Sequence, residues 1–139
     1  MGCGRVGATL ARSLSDLGHD VAVIDMDPTS FRRLGSSFEG RTITGMGFDR
    51  GVLVAAGIRE AYAFAAVSSG DNSNILAARV ARETFGVEHV AARIYDPRRA
   101  AVYQRLGIPT VATVRWTADQ IIHRLLPTGS VPAFTDPSG

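Results

Sequence analysis

The 139-residue chain contains no lysine, so all 15 of its basic residues are arginine. That absence removes several chemistries at once. A P-loop needs its motif lysine, a Schiff-base enzyme needs an amine nucleophile, and a short-chain dehydrogenase needs a Tyr-x-x-x-Lys pair. Cysteine is almost absent too. Cys3 stands alone, which rules out an internal disulfide and a thiolate metal cluster. Long charge runs are missing: the formal net charge is +2, and the longest basic runs are the pairs Arg32-Arg33 and Arg98-Arg99. A nucleic-acid partner is therefore not expected. No apolar run approaches the roughly 18 residues of a membrane helix, and no signal peptide is read, so the expected location is cytoplasmic.

What is present is the composition of a globular domain, 45% hydrophobic and 20% charged, in a length that can bury a core. Short apolar runs alternate with amphipathic segments, the pattern of strand–helix units around a parallel sheet. A first helix is expected from Val6 to Leu17, with Val6, Leu10, Leu14 and Leu17 on one stripe and Gly18 as its stop. Val21–Ile24 reads as a buried strand ending at Asp25. Asp27-Pro28-Thr29-Ser30 opens a short helix through Leu34. Arg41–Thr44 is the next strand, Gly45-Met46-Gly47 its exit, and Asp49 caps a helix ending near Gly57. Ala63–Val67 is a strand that runs into the polar loop Ser68–Asn74, followed by a helix from about Asn74 to Thr84. Val90–Ile94 is a strand, and the helix after Asp96-Pro97 ends at Gly107. Val111-Ala112 is a short last strand, and Ile121, Ile122, Leu125 and Leu126 form the stripe of a final helix. The Pro/Gly/Ser/Thr-rich residues 128–139 read as a linker or frayed end, which leaves 1–127 as the domain.

The most informative stretch is Gly2-Cys3-Gly4-Arg5-Val6-Gly7. Its spacing is G-x-G-x-x-G ahead of a helix, and an acid, Asp25, stands at a strand end 18 residues after Gly7. Three glycines allow a tight turn, bring backbone amides against a pyrophosphate and let the helix pack close to the sheet. The helix N-terminus adds unpaired N–H donors and a partial positive charge. A carboxylate at that distance accepts hydrogen bonds from ribose hydroxyls. Together these point to a dinucleotide or an adenine nucleotide; the alternative is a tight strand-to-helix turn that binds nothing. Cys3 reads as a small-residue choice, with a redox role as the alternative, because a helix N-terminus lowers a thiol pKa. In a doubly wound sheet the strand before the glycine loop is central, yet only Met1 precedes Gly2. A short apolar strand encoded upstream is the expectation.

Further stretches accompany the motif: Val23-Ile24-Asp25-Met26-Asp27, Ala56-Gly57-Ile58, Ala63–Val67, Gly70-Asp71-Asn72-Ser73-Asn74-Ile75, Ala92-Arg93-Ile94 and Arg105-Leu106-Gly107-Ile108-Pro109. With them the chain, from Gly2 to Pro127, resembles the N-terminal nucleotide-binding domain (RCK/KTN, TrkA-N) of Trk-type potassium uptake regulators. The resemblance implies an α/β fold, a Rossmann-like doubly wound parallel sheet with helices on both faces. It implies NAD(H) as ligand, with ATP/ADP as the other choice. It further implies a regulatory subunit, not an enzyme, at the inner face of the membrane. Such a subunit gates a membrane-embedded potassium transporter and self-associates as a dimer or larger ring. A second lobe, usual in the family, would follow residues 128–139.

The same resemblance assigns site residues. Gly2, Gly4 and Gly7 frame the phosphates, with Cys3 and Val6 between them. Arg5 reaches a phosphate or is a solvated loop arginine. Asp25, with Met26 beside it, holds the adenosine ribose and disfavours a 2′-phosphate. Asp27 is a second acid there or an N-cap ahead of Pro28. Ser68, Ser69 and Asn74 lie at a strand's carboxyl end, where open α/β sheets bind ligands, or else cap the next helix with Asp71 or Ser73. Arg93 points toward the phosphates. One departure is Met46, where the family usually has an acid near the adenine; backbone groups or Asp49 would then recognise the base. Two other readings stay open: the cofactor domain of a dehydrogenase lacking its catalytic domain, and a dimerisation scaffold with a vestigial loop. His19, His89 and His123 fall on different elements, so no ligand cluster is expected; Tyr95, Tyr103 and Trp116 read as packing residues.

Overall fold

A computed structural model describes residues 1–111 and 113–126. The tail expected over 128–139 lies outside them, as do Ala112 and Pro127. The helices are α1 (Arg5–Asp16), α2 (Arg50–Ala55), α3 (Asp71–Arg79), α4 (Pro97–Arg105) and α5 (Thr113–Leu125). The strands are β1 (Ala22–Asp25), β2 (Arg41–Thr44), β3 (Ala63–Ala66), β4 (His89–Arg93) and β5 (Thr110–Val111). Short 3₁₀ segments cover Pro28–Leu34 and Ile58–Glu60, and a π turn, Val80–Thr84, extends α3. Local chemistry sets several of these starts. Asp27, Asp49 and Asp96 each cap a segment, accepting from the amides of Thr29, Val52 and Arg98. Gly18 leaves α1 at φ +90°, a left-handed conformation that favours glycine.

All ladders are parallel: β1 with β2, and β3 with β4 and β5. Met1 and Gly2 stand between the two groups. The Met1 ammonium donates to the Ala65 carbonyl at 2.8 Å, and the Val67 amide donates to the Met1 carbonyl at 2.8 Å. On the other side the Gly2 amide donates to the Ile24 carbonyl at 2.7 Å. The order across the molecule is therefore β2-β1-(Met1–Gly2)-β3-β4-β5, a doubly wound α/β arrangement with the glycine loop at its centre. Successive residues of β1 face opposite ways. Val23 joins one core cluster with Ala8, Ala11 and Leu34; Ile24 joins a larger one with Leu53, Phe64, Ile75 and Ile94. Both sheet faces are thus covered.

Two details differ from what the sequence predicts, and a third settles which residues of the last helix are exposed. The buried face of α1 is Gly7, Ala8 and Ala11, while the stripe residues Val6, Leu10 and Leu17 are exposed, Leu17 by 74%. The helix lies so close to the glycine loop that only small side chains fit beneath it. α3 begins at Asp71, a turn earlier than Asn74, because its N-cap is Gly70 and no side chain caps it. Ile121, Ile122 and Leu125 of α5, and Leu126 just beyond it, are exposed on the surface of the chain.

Candidate nucleotide-binding site

The carboxyl ends of β1, β3 and β4 converge with the N-terminus of α1 around a cavity of about 600 Å³. Gly2, Gly4, Arg5 and Val6 of the glycine loop line it. Asp25 and Met26 line it from the end of β1, Ser68 and Ser69 from the end of β3, and Arg93 from the end of β4. Of the residues the sequence singled out, Cys3, Gly7 and Asn74 do not line it. They stand behind the wall and support it.

The three glycines have three different reasons to be glycine. Gly2 has φ +100°, and a Cβ there would lie 2.6 Å from the Ser68 amide nitrogen. A Cβ on Gly7 would lie 1.8 Å from the Gly2 carbonyl oxygen, so α1 approaches the loop backbone directly. Gly4 has neither constraint: its backbone is extended, and a Cβ would meet nothing within 4 Å. Gly4 lines the cavity and immediately precedes the first amides of α1, the position at which a helix N-terminus can accept an anion.

The Asp25 carboxylate braces this loop. Oδ2 accepts from the Cys3 amide at 2.7 Å, and Oδ1 accepts from the Asp27 amide at 2.8 Å. Each oxygen keeps a further lone pair for a sugar hydroxyl. Asp27 is an N-cap, accepting from both the amide and the hydroxyl of Thr29, which hold its carboxyl below the usual range. The Cys3 side chain is fully buried and donates to the Ser30 carbonyl. Burial first, and then the Asp25 charge, push its thiol up. The helix N-terminus therefore does not make Cys3 a thiolate, and the redox alternative loses its basis.

On the opposite wall the Arg93 guanidinium stacks over the Tyr95 ring, 4.3 Å from its centroid. Its Nε is buried without a hydrogen-bond partner among the described residues. A cation held in place with a free donor fits an anionic ligand. Asn74 is fully buried. Its Oδ1 accepts from the Ser68 amide (2.9 Å) and hydroxyl (2.6 Å), and its Nδ2 donates to the carbonyls of Ser68 (2.9 Å) and Arg93 (2.8 Å). All four bonding positions of the side chain are in use inside the protein.

The sequence reading missed part of the lining. Tyr95 was read as a packing residue, yet it lines the cavity under Arg93. The signal was its place two residues after Arg93 at the same strand end. Phe48 and the glycines Gly45 and Gly47 also line the cavity, near Met26. Asp49 does not line it; its carboxylate accepts from Val52 as an N-cap. At this end of the cavity a base would meet apolar surface and backbone.

Fold and cavity together define a Rossmann-like α/β domain with a cavity at the carboxyl ends of its strands. Comparison with known proteins gives the family. The TrkA-N domain matches residues 1–114, and the chain belongs to that family. It is 76% identical to the Trk system potassium uptake protein TrkA of Streptomyces coelicolor over 139 residues, covering all of this chain and 62% of that protein. This domain thus spans less than two thirds of that relative's length. Among solved structures, the TrkA-N domain of the inner membrane protein ybaL from Escherichia coli superposes with a TM-score of 0.79 at 20% identity, over 90% of this chain and 93% of that one. The Kef C-terminal domain of Shewanella denitrificans, in its AMP-bound form, gives a TM-score of 0.75 at 21% identity, over 91% and 80%. The two superpositions establish the shared α/β fold. No helix among the described residues is long and apolar enough to cross a membrane.

Proposed function

We propose that this domain binds an adenine nucleotide, NAD(H) or ATP/ADP, and acts as the sensing part of a cytoplasmic regulator of a membrane potassium uptake system. The observation that carries this is the convergence on one cavity of Gly4 at the start of α1, the Asp25 carboxylate and the unpartnered Arg93 donor. In this reading the amides of Gly4, Arg5 and Val6 hold the phosphates, with Arg5 and Arg93 neutralising them from two sides. Gly2 and Gly7 shape the turn. Asp25 holds the ribose, and its charge disfavours a 2′-phosphate. Met26, Gly45, Gly47 and Phe48 sandwich the base. Ser68 and Ser69 border the distal phosphate or second nucleoside.

The Trk name of the Streptomyces relative supports the potassium role, and the AMP in the Kef domain supports an adenine nucleotide. Family membership favours a sensor over a dehydrogenase cofactor domain. A sensor needs no chemistry at this site. It needs two states that bind the ligand with different affinity, each biasing the transporter differently. Exposed apolar residues on α1 and α5 support self-association as a dimer or ring. Titration of the chain with NAD, NADH, ATP and ADP, read by calorimetry and thermal shift, tests the reading. A ligand at about 100 times its dissociation constant adds about 2.7 kcal/mol of stability. No binding by any of the four overturns it.

A further inference from the structure

The first turn of α3 lends the cavity only Ser73, yet it ties two of the cavity's walls together. Asn74 and Asp71 lie three residues apart, on one face of the helix. Asn74 bonds the backbone of Ser68, at the end of β3, and the carbonyl of Arg93, at the end of β4. The Asp71 carboxylate accepts from the amides of Tyr95 (2.8 Å) and Asp96 (3.0 Å). The segment bearing the Arg93–Tyr95 stack is therefore pinned on both sides by one helix. Nothing local requires this. The helix takes Gly70 as its N-cap, and Asp96 starts α4 with its own side chain.

From this geometry we infer that Asp71 and Asn74 are positioning residues. They hold the Ser68 wall and the Arg93 wall in one fixed relation, so that the Arg93 guanidinium is presented to the ligand's anionic end. The inference rests on the nucleotide reading of the cavity and says which part of the protein makes the two walls respond as a unit. A buried amide with all four positions bonded is a rigid connector, since loss of any one bond leaves a buried partner unsatisfied. Ligand contact with Arg93 is then transmitted to Ser68 and to α3, and the reverse holds by linkage.

The test uses the 139-residue chain with Asn74→Ser, Asn74→Asp and Asp71→Asn, alone and with Arg93→Ala, at a temperature where each is folded. Asn74→Asp keeps the acceptor side and sets a second acceptor against two carbonyls. ADP is the probe, with NAD as the second. Each single variant weakens binding about tenfold or more, and the same change made on Arg93→Ala weakens it by less than about twofold. A merely structural role lowers the unfolding temperature but gives the same factor in both backgrounds, and that result overturns the inference. Amide exchange is the second readout and needs no ligand. Asn74→Ser accelerates exchange at Tyr95 and Asp96, to which Asn74 makes no bond, while the amides of β2 keep their wild-type rates. Unchanged exchange at Tyr95 and Asp96 also overturns the inference. If the wild-type chain binds neither probe, the nucleotide reading fails, and the exchange result alone decides the positioning role.

Discussion

The Asp25 carboxylate accepts the Cys3 amide at 2.7 Å, so the end of β1 and the glycine loop are joined by a charge-assisted hydrogen bond. One side chain thereby has two tasks. It holds the loop in shape, and it lines the cavity. Asp25→Ala should lower stability by roughly 1–3 kcal/mol in the absence of nucleotide, because two backbone amides lose their acceptor. It should weaken nucleotide binding by a similar amount. Urea unfolding and calorimetry measure the two separately. Weakened binding at unchanged stability would show that the brace is dispensable.

Gly4 and Gly7 should respond differently to a methyl group. Gly7→Ala places Cβ against the Gly2 carbonyl and forces α1 away, at a cost of about 1–3 kcal/mol in stability. Gly4→Ser meets open space and puts a favourable N-cap residue at the start of α1, so stability should change by less than about 1 kcal/mol. Its hydroxymethyl group takes the place proposed for a phosphate, so nucleotide affinity should fall. Full affinity in Gly4→Ser would show that no phosphate sits against Gly4.

Cys3 should be inert in the native state. Its side chain is fully buried, and burial with the Asp25 charge keeps it a thiol. Reaction with a disulfide reagent near pH 8 should proceed only at the rate of opening. It should slow further when nucleotide is bound, since a ligand that binds the folded state reduces opening. Rapid labelling of the folded chain would contradict this.

Much of the fold was legible because its signals are local. Apolar runs bounded by turn residues marked the strands, and Asp27, Asp49 and Asp96 marked helix starts through bonds to amides two or three residues away. The glycine spacing with Asp25 marked the site, since the turn, the helix and the strand end lie within one strand–helix–strand unit. The leucine stripe of α1 was legible as a stripe, but not that it faces outward; that depended on how near the helix comes to Gly2. The start of α3 is not legible because Asp71 serves the turn between β4 and α4 instead of capping its own helix.

The chain's own order thus determined a parallel α/β domain with a glycine-rich turn ahead of a helix and an acid to follow it, because covalent spacing alone delivers those groups to one place. Only the tertiary structure decided which side chains line the cavity and which stand behind it. Asn74 and Cys3 sit in the same motifs as Ser68 and Gly4, yet they are buried. Arg93 and Tyr95 line the same cavity as the glycine loop although nearly 90 residues of chain separate them. Sheet order brings β4 beside β3, and no local pattern encodes which way a wall residue turns once the two strands meet.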